Sequence, residues 1–275
     1  MVNIIHGRDS ERKRKTETIS CVCFWDIPFH GSGAKLSSRI KRQRKDCNLR
    51  CPWCHNPETI APVPQTLLFQ DTGKLVSYGM NLTVEEAVES VMRDVDFYKA
   101  SQGGVAVSGG EPMLQPEGVA ELCRRLRQLG VSTLIDTAGN VPWDHFERVL
   151  PYTDCLFYDF KSPDEKVYRE IVRGNQKLIY ENLRKISDRG FALHVRIPLI
   201  PGINDDTHSL ERSAALLVEM GIRNVDLLLF HRMGDAKYRA MGLSYAFRDM
   251  RPLSEERIRE AQSVFERHFT VTVET

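Results

Sequence analysis

The chain changes rhythm near residue 83. Beyond it, apolar residues fall alternately at helical spacing and in short continuous runs. Thr83 to Ala100 reads as a helix: Thr83 and Glu86 form a T-x-x-E capping box, and Val84, Val88, Val91 and Val95 share one face. Further helices are expected at Pro116–Leu129, Trp143–Leu150, Lys177–Arg189, Thr207–Met220 and Glu255–Arg267, with Gly130, Gly190 and Gly221 as stops. Between them lie the apolar runs Val105–Val107, Val131–Ile135, Cys155–Phe160, Ala192–Ile200 and Val225–Phe230. Runs this short and this apolar are strands buried on both faces. Strands alternating with helices make a parallel sheet wrapped by helices, as an open doubly wound sheet or a barrel. The polar residues favour the barrel. Glu111, Asp136, Asp159, Lys161, Arg196 and His231 cluster at the strand ends, where barrel enzymes keep their chemistry.

The first 46 residues lack this order. They hold 11 Lys/Arg against 5 Asp/Glu, a net of +6, and the remainder carries −5. Two basic runs, Arg12–Lys15 and Arg39–Lys45, flank one possible strand at Ile19–Trp25. The segment reads as a solvated leader, and 47–275 as the folded domain. Over the whole chain the net charge is +1, which gives no electrostatic case for nucleic acid or an anionic membrane. A hydrophobic content of 41% with 27% charged residues excludes a largely disordered chain. No apolar run is long enough to span a bilayer, and MVNIIHGRDSERKRK lacks the apolar core of a secretory signal. A cytoplasmic protein is expected.

Cysteine is the informative residue. There are 7, an odd number, and three fall in Cys47-Asn-Leu-Arg-Cys51-Pro-Trp-Cys54. Three thiolates at C-x3-C-x2-C spacing wrap one face of a cubane iron–sulfur cluster and leave the fourth iron open. The alternatives are a zinc site that borrows His55, or unrelated thiols. Zinc sites usually pair their ligands differently, as two C-x2-C units or one with two histidines. Cys123, on an apolar helix face, and Cys155, opening a strand, read as core thiols. His6, His30, His145, His194, His208 and His268 have no motif around them and read as structural.

CNLRCPWCHNPET resembles the cluster motif of the radical S-adenosylmethionine (SAM) superfamily, in particular its glycyl-radical-enzyme activating enzymes. The resemblance continues in order through GGVAVSGGEP (103–112), DTAG (136–139), YDFK (158–161), RIPLIPGIND (196–205), and Phe230-His231 followed by KYRAMG (237–242). It implies a partial (β/α)6 TIM-type barrel of the radical SAM kind. It implies a [4Fe-4S] cluster on Cys47, Cys51 and Cys54, whose open iron chelates the amino and carboxylate groups of SAM. Trp53, Cys54, His55, Gly109, Gly110, Glu111, Asp159, Lys161, Arg196 and His231 are the residues expected to hold SAM. A monovalent or divalent cation is expected near Asp136, with oxygens from Asp136 and Thr137.

Physical readings stand beside these. Without side chains at Gly109 and Gly110, the backbone approaches the methionyl ammonium closely. Asp159 and Lys161, two apart on a strand, point to one face. Arg196 suits a carboxylate. The implied reaction is one-electron reductive cleavage of SAM to methionine and a 5′-deoxyadenosyl radical, which abstracts a Cα hydrogen from a glycine of a partner glycyl radical enzyme. The protein supplies binding, orientation and exclusion of water. A radical SAM enzyme acting on a small molecule or peptide, or an inactive member with a damaged N-terminus, are the competing readings.

Two departures from the family stand out. Its members enter the first cysteine through a glycine-rich strand with a glycine directly before it. Here His30–Asp46 holds that place, with five Lys/Arg from 39 to 45, and a shifted reading frame is one explanation. Second, residues 58–82 contain no cysteine where many relatives carry a ferredoxin-like insert. A one-cluster enzyme that takes its electron directly from flavodoxin or ferredoxin is expected.

Overall fold

In the computed structural model, which describes residues 18–20, 23–28, 46–79, 81–101 and 103–274, the apolar runs become one seven-stranded sheet. Six of its strands are parallel neighbours in chain order: β6 (Gly103–Ser108), β7 (Ser132–Thr137), β8 (Cys155–Asp159), β9 (Leu193–Leu199), β10 (Asn224–Leu229) and β11 (Thr270–Glu274). The seventh, β2 (Cys23–Pro28), lies antiparallel on β6, with Cys23 opposite Ser108 and Pro28 opposite Gly103. A short β1 (Thr18–Ser20) pairs with β5 (Asn81–Thr83), and β3 (Gln65–Phe69) with β4 (Lys74–Tyr78) forms a separate hairpin. β2 and β11 end the strand order at opposite edges, so the barrel is partial.

The Ile19–Trp25 run thus resolves into two strands, and the second takes the edge beside β6 in the opposite direction to the other six. The stretch from His30 to Lys45, on which the reading-frame question turns, lies outside the described residues.

The period of two along each strand sorts its residues. One face sends Val105, Val107, Ile135, Leu156, Tyr158, Val195, Ile197, Val225 and Leu227 into a continuous core, each at most 2% exposed. That core is closed by α1 (Val84–Met92), α3 (Pro116–Gln128), α4 (Trp143–Val149), α5 (Gln176–Asp188), α6 (Thr207–Glu219) and α8 (Glu255–Glu266). The other face lines the barrel interior. There Ala106, Leu134, Cys155 and Phe157 make a small apolar floor, and Ser108, Asp136, Asp159 and Arg196 follow toward the C-terminal ends.

The helices start where local chemistry says they should. Thr83 and Glu86 form the capping box, and Asn175, Asp206 and Ser254 cap α5, α6 and α8. Gly130, Gly190 and Gly221 all take the left-handed conformation that ends α3, α5 and α6.

Three elements differ from expectation. The single helix over 83–100 is two, α1 and α2 (Val95–Ser101), because the Asp94 carbonyl restarts the ladder by accepting from Phe97 and Tyr98. Val167–Val172 forms a π-helical segment ending at Arg173. β11 adds a sixth parallel strand from TVTVE, delivered by the α8 crossover. A further short helix, α7 (Asp235–Ala240), packs against β3 and the turn Pro57–Thr59.

Candidate functional site

The cysteine loop is held almost wholly by distant partners. Asp46 donates its N–H to Thr59 O at 2.7 Å, and its carbonyl accepts from Glu111 N at 2.8 Å. Arg50 N donates to Val172 O at 2.7 Å, and Asn48 Nδ2 to Asn140 O at 2.6 Å. Leu49 and Trp53 anchor the loop in the core, and Cys54 N closes a turn onto Cys51 O at 3.0 Å. Gly110 matters here for a reason other than the expected one. A Cβ on it would sit 2.2 Å from Asp46 O, so the missing side chain admits the loop itself against β6. Asp46, directly before Cys47, has φ of 98°, a backbone that glycine adopts freely and aspartate does not. The position at which the family carries glycine has kept the glycine conformation.

The loop closes one end of a cavity of about 530 Å³ over the C-terminal ends of the strands. Cys47, Cys51, Trp53, Cys54 and His55 line it from the loop, and Gly109, Gly110, Asp136, Thr137, Asp159, Lys161, Arg196 and His231 from the barrel. Lys161 Nζ donates to Asp159 Oδ2 at 2.6 Å. Burial opposes the lysine charge, but Asp159 and the neighbouring Cys51 hold it above the usual lysine range. Arg196 stands between Asp136 at 3.4 Å and Glu274 at 3.6 Å and lies over the Phe157 ring at 5.0 Å. Its Nε is buried with no hydrogen-bond partner among the described residues, a donor in want of an acceptor. Burial raises the Asp136 carboxyl against the pull of Arg196. His55 and His231 stack at 3.9 Å, with His55 Nε2 3.0 Å from the His231 carbonyl oxygen. Burial, then the charge of His231, pushes His55 down to about 4, so its ring is neutral at pH 7.

Burial pushes the loop thiols up, to about 12 for Cys47 and Cys54 and about 11 for Cys51. Bare thiolates are unfavourable there, and a strongly positive group is what holds them ionised. Among the described residues no three His, Cys, Asp or Glu side chains gather tightly enough to hold one metal ion. A lone zinc on the loop needs that convergence. A cubane does not, because each thiolate takes a different iron. The donor set fits the cluster, and the polar wall opposite fits a zwitterion with a sugar.

Glu111 is placed differently from expectation. It is 1% exposed, and its carboxylate accepts from Met113 N at 3.0 Å, Thr137 Oγ1 at 2.7 Å and Ala138 N at 2.9 Å. It ties the β6 and β7 ends together behind the cavity wall. Asp136 is engaged by Ser108 Oγ at 2.8 Å and by Arg196 at 3.4 Å. Three polar lining residues were not singled out in the sequence: Ser108, Asn56 and Glu274. Nor was the buried pair of Lys237 Nζ with Glu58 Oε1 at 2.6 Å, which clamps α7 to the end of the loop. Cys123 and Cys155 are buried core thiols as expected, and His145 bonds the Met113 carbonyl at 2.7 Å.

A thiol-lined loop over the polar ends of a partial parallel barrel defines a class, and sequence comparison agrees. The profile of the radical SAM superfamily matches residues 45–214, and the chain belongs to that superfamily. Its [4Fe-4S] cluster and SAM are therefore the cofactors of this enzyme. Within the superfamily it is an activating enzyme of glycyl radical enzymes. It is 34% identical over 257 residues to the (2S)-3-sulfopropanediol dehydratase activating enzyme of Klebsiella oxytoca, covering 75% of this chain and 81% of that one. It is 31% identical over 222 residues to the pyruvate formate-lyase 2-activating enzyme of Escherichia coli K12, covering 75% and 76%. Among solved structures, a domain of pyruvate-formate lyase-activating enzyme from Bacteroides vulgatus superposes with a TM-score of 0.53 at 26% identity. That match covers 62% of this chain and 99% of the domain.

Proposed function

We propose that the cavity binds SAM between the cysteine loop and the strand ends, with Cys47, Cys51 and Cys54 holding the cluster. The observation that carries this is the meeting, in one space, of three thiols from the loop with Asp159, Lys161, Arg196 and His231 from three separate strand ends. Held by Cys47, Cys51 and Cys54, the cluster would supply the single low-potential electron for reductive cleavage of SAM, the chemistry by which a glycine Cα hydrogen of the partner would be removed. The chain's own residues then have distinct tasks. Gly109, at φ of 145°, presents backbone to the methionyl ammonium. Arg196 offers its unpartnered Nε to a carboxylate. The paired Asp159 and Lys161 hold the ribose or methionyl end. Trp53 walls the loop side, and the His55 and His231 rings stack on each other at 3.9 Å.

The polypeptide substrate enters over the open edge of the barrel, and flavodoxin or ferredoxin supplies the electron. The continuous core from Leu49 to Phe269 supports 47–275 as one domain. The cytoplasm is the compartment proposed, since the loop thiols must stay reduced to hold iron.

Anaerobic reconstitution with iron and sulfide, reduction by dithionite and assay of 5′-deoxyadenosine from SAM tests the reading. Production is expected, and Cys51→Ala abolishes it. No product from a fully loaded four-iron protein would overturn it. The partner is then identified by glycyl-radical formation on candidate dehydratases and lyases, detected by electron paramagnetic resonance.

A further inference from the structure

The reaction consumes one electron per SAM cleaved, and the interior face of the cysteine loop is taken up by the cavity. The electron must therefore arrive from the loop's outer side. Among the described residues, that side brings together two segments 123 residues apart in sequence. Arg50 N donates to Val172 O at 2.7 Å, which sets Arg50 beside the end of the π-helical segment and its next residue, Arg173. Leu49 packs against Gly174, where a Cβ would lie 2.7 Å from its Cδ2. Both arginines are exposed.

Among the described residues no carboxylate cancels their charges. Along the neighbouring segment Arg169 pairs with Glu165 and Glu170, Lys166 with Glu170, and Lys177 with Glu181. Arg50 instead donates to the carbonyls of Cys47 and Leu49, which leaves its positive charge whole. Arg173 has no carboxylate partner among the described residues. Arg173 also sits at φ 58°, ψ 44°, in the left-handed region, although a glycine follows it at once. A non-glycine residue there costs about 1 kcal/mol or more. A strained, uncompensated cation beside the redox centre is better explained by a partner than by folding.

We infer that Arg50 and Arg173 form the docking point for a small acidic protein that carries a single electron. This rests on the reading of the loop as a cluster site. The carrier loses one electron, the loaded loop gains it, and no bond is made or broken in the transfer. Opposite charge on the two surfaces speeds encounter and fixes orientation.

The test uses the reconstituted holoenzyme with Arg173→Glu and Arg173→Gly. Glycine suits the left-handed backbone, so that variant loses the charge without a penalty to the fold. Flavodoxin and ferredoxin are the probes, with binding of each oxidised carrier measured by calorimetry at low and high salt. Arg173→Glu is expected to weaken binding of one carrier roughly 10-fold at low salt, and Arg173→Gly roughly 3-fold, with the difference shrinking as salt screens it. Deoxyadenosine formation driven by dithionite, which needs no docking, stays at the parent rate in both. Unchanged affinity for both carriers, or an equal loss with dithionite, overturns the inference. Absence of product from the parent with dithionite is a different failure, that of the cluster reading itself.

Discussion

The barrel wall and the cysteine loop are built by opposite rules. Helices of the wall carry their own signals, such as Asn175 before α5 and Gly190 after it, and Asp206 before α6 and Gly221 after it. The loop has few ties of its own, the Cys51–Cys54 turn and the Arg50 guanidinium on the Cys47 and Leu49 carbonyls. It hangs from Thr59, Glu111, Asn140 and Val172, residues spread over more than 100 positions. The wall is therefore robust to single changes, while the loop depends on contacts that form only after the wall has closed. This suits a site that must present three thiols in fixed relation and still accept a cofactor.

The sharpest way to break the contrast is at the seam. Glu111→Ala removes a buried acceptor of three hydrogen bonds and leaves Thr137, Ala138 and Met113 unpaired. A loss of about 3 kcal/mol is expected, with iron retention falling in parallel. Chemical denaturation and iron content read the two effects, and an unchanged midpoint would mean that the seam does not hold the loop.

A smaller effect of opposite sign is expected at Asp46. Asp46→Gly relieves a φ of 98° at the loop entrance and should stabilise the protein by about 1 kcal/mol. A fall in melting temperature would sink the idea that this position retains a glycine backbone.

The wall provides the smallest. Hydrogen bonds from Arg124, and then Arg125, on the same helix hold the Glu121 carboxyl down to about 2, against partial burial. A depressed acid contributes stability above its ordinary value of 4.5 and loses it as the pH falls toward about 2. Glu121→Gln should therefore cost less than about 1 kcal/mol at pH 7 and nothing near pH 2. Thermal melts of both proteins across that window measure the difference, and a constant gap would reject it.

The alternating rhythm of the strands, the caps and the stopping glycines depend on neighbours within a few residues, so the chain displays them openly. The same holds for the C-x3-C-x2-C spacing and for the polar residue at each strand end, because a period of two decides which side chains face the interior. Asp136, Asp159 and Arg196 were legible at the strand ends for that reason, and His231 through its resemblance to the family motif. What was hidden depends on distance in sequence. Glu111 looked like a cavity residue because it sits at a strand end within a segment resembling the family's GGE motif, yet Thr137 and Ala138 make its side chain a tie between strands. Gly110 lines the cavity as expected, but the space its missing side chain leaves is taken by Asp46. The break at Asp94 was hidden because the apolar face runs through it, so periodicity reads one helix where two form.

Glu274 and Arg196, Lys237 and Glu58, and Arg50 and Val172 are partners only because the barrel curls and brings its two ends round to the loop. The sequence by itself determined the wall, the thiol spacing and the residues at the strand ends, since short-range sterics and hydrophobic period suffice for each. Only the tertiary structure decided what the loop rests on, where Glu111 and Gly110 are used, and which charges remain uncancelled on the outer face. Those depend on pairings between segments far apart in the chain, and such pairings follow from how the strands curve and close rather than from any local run of residues.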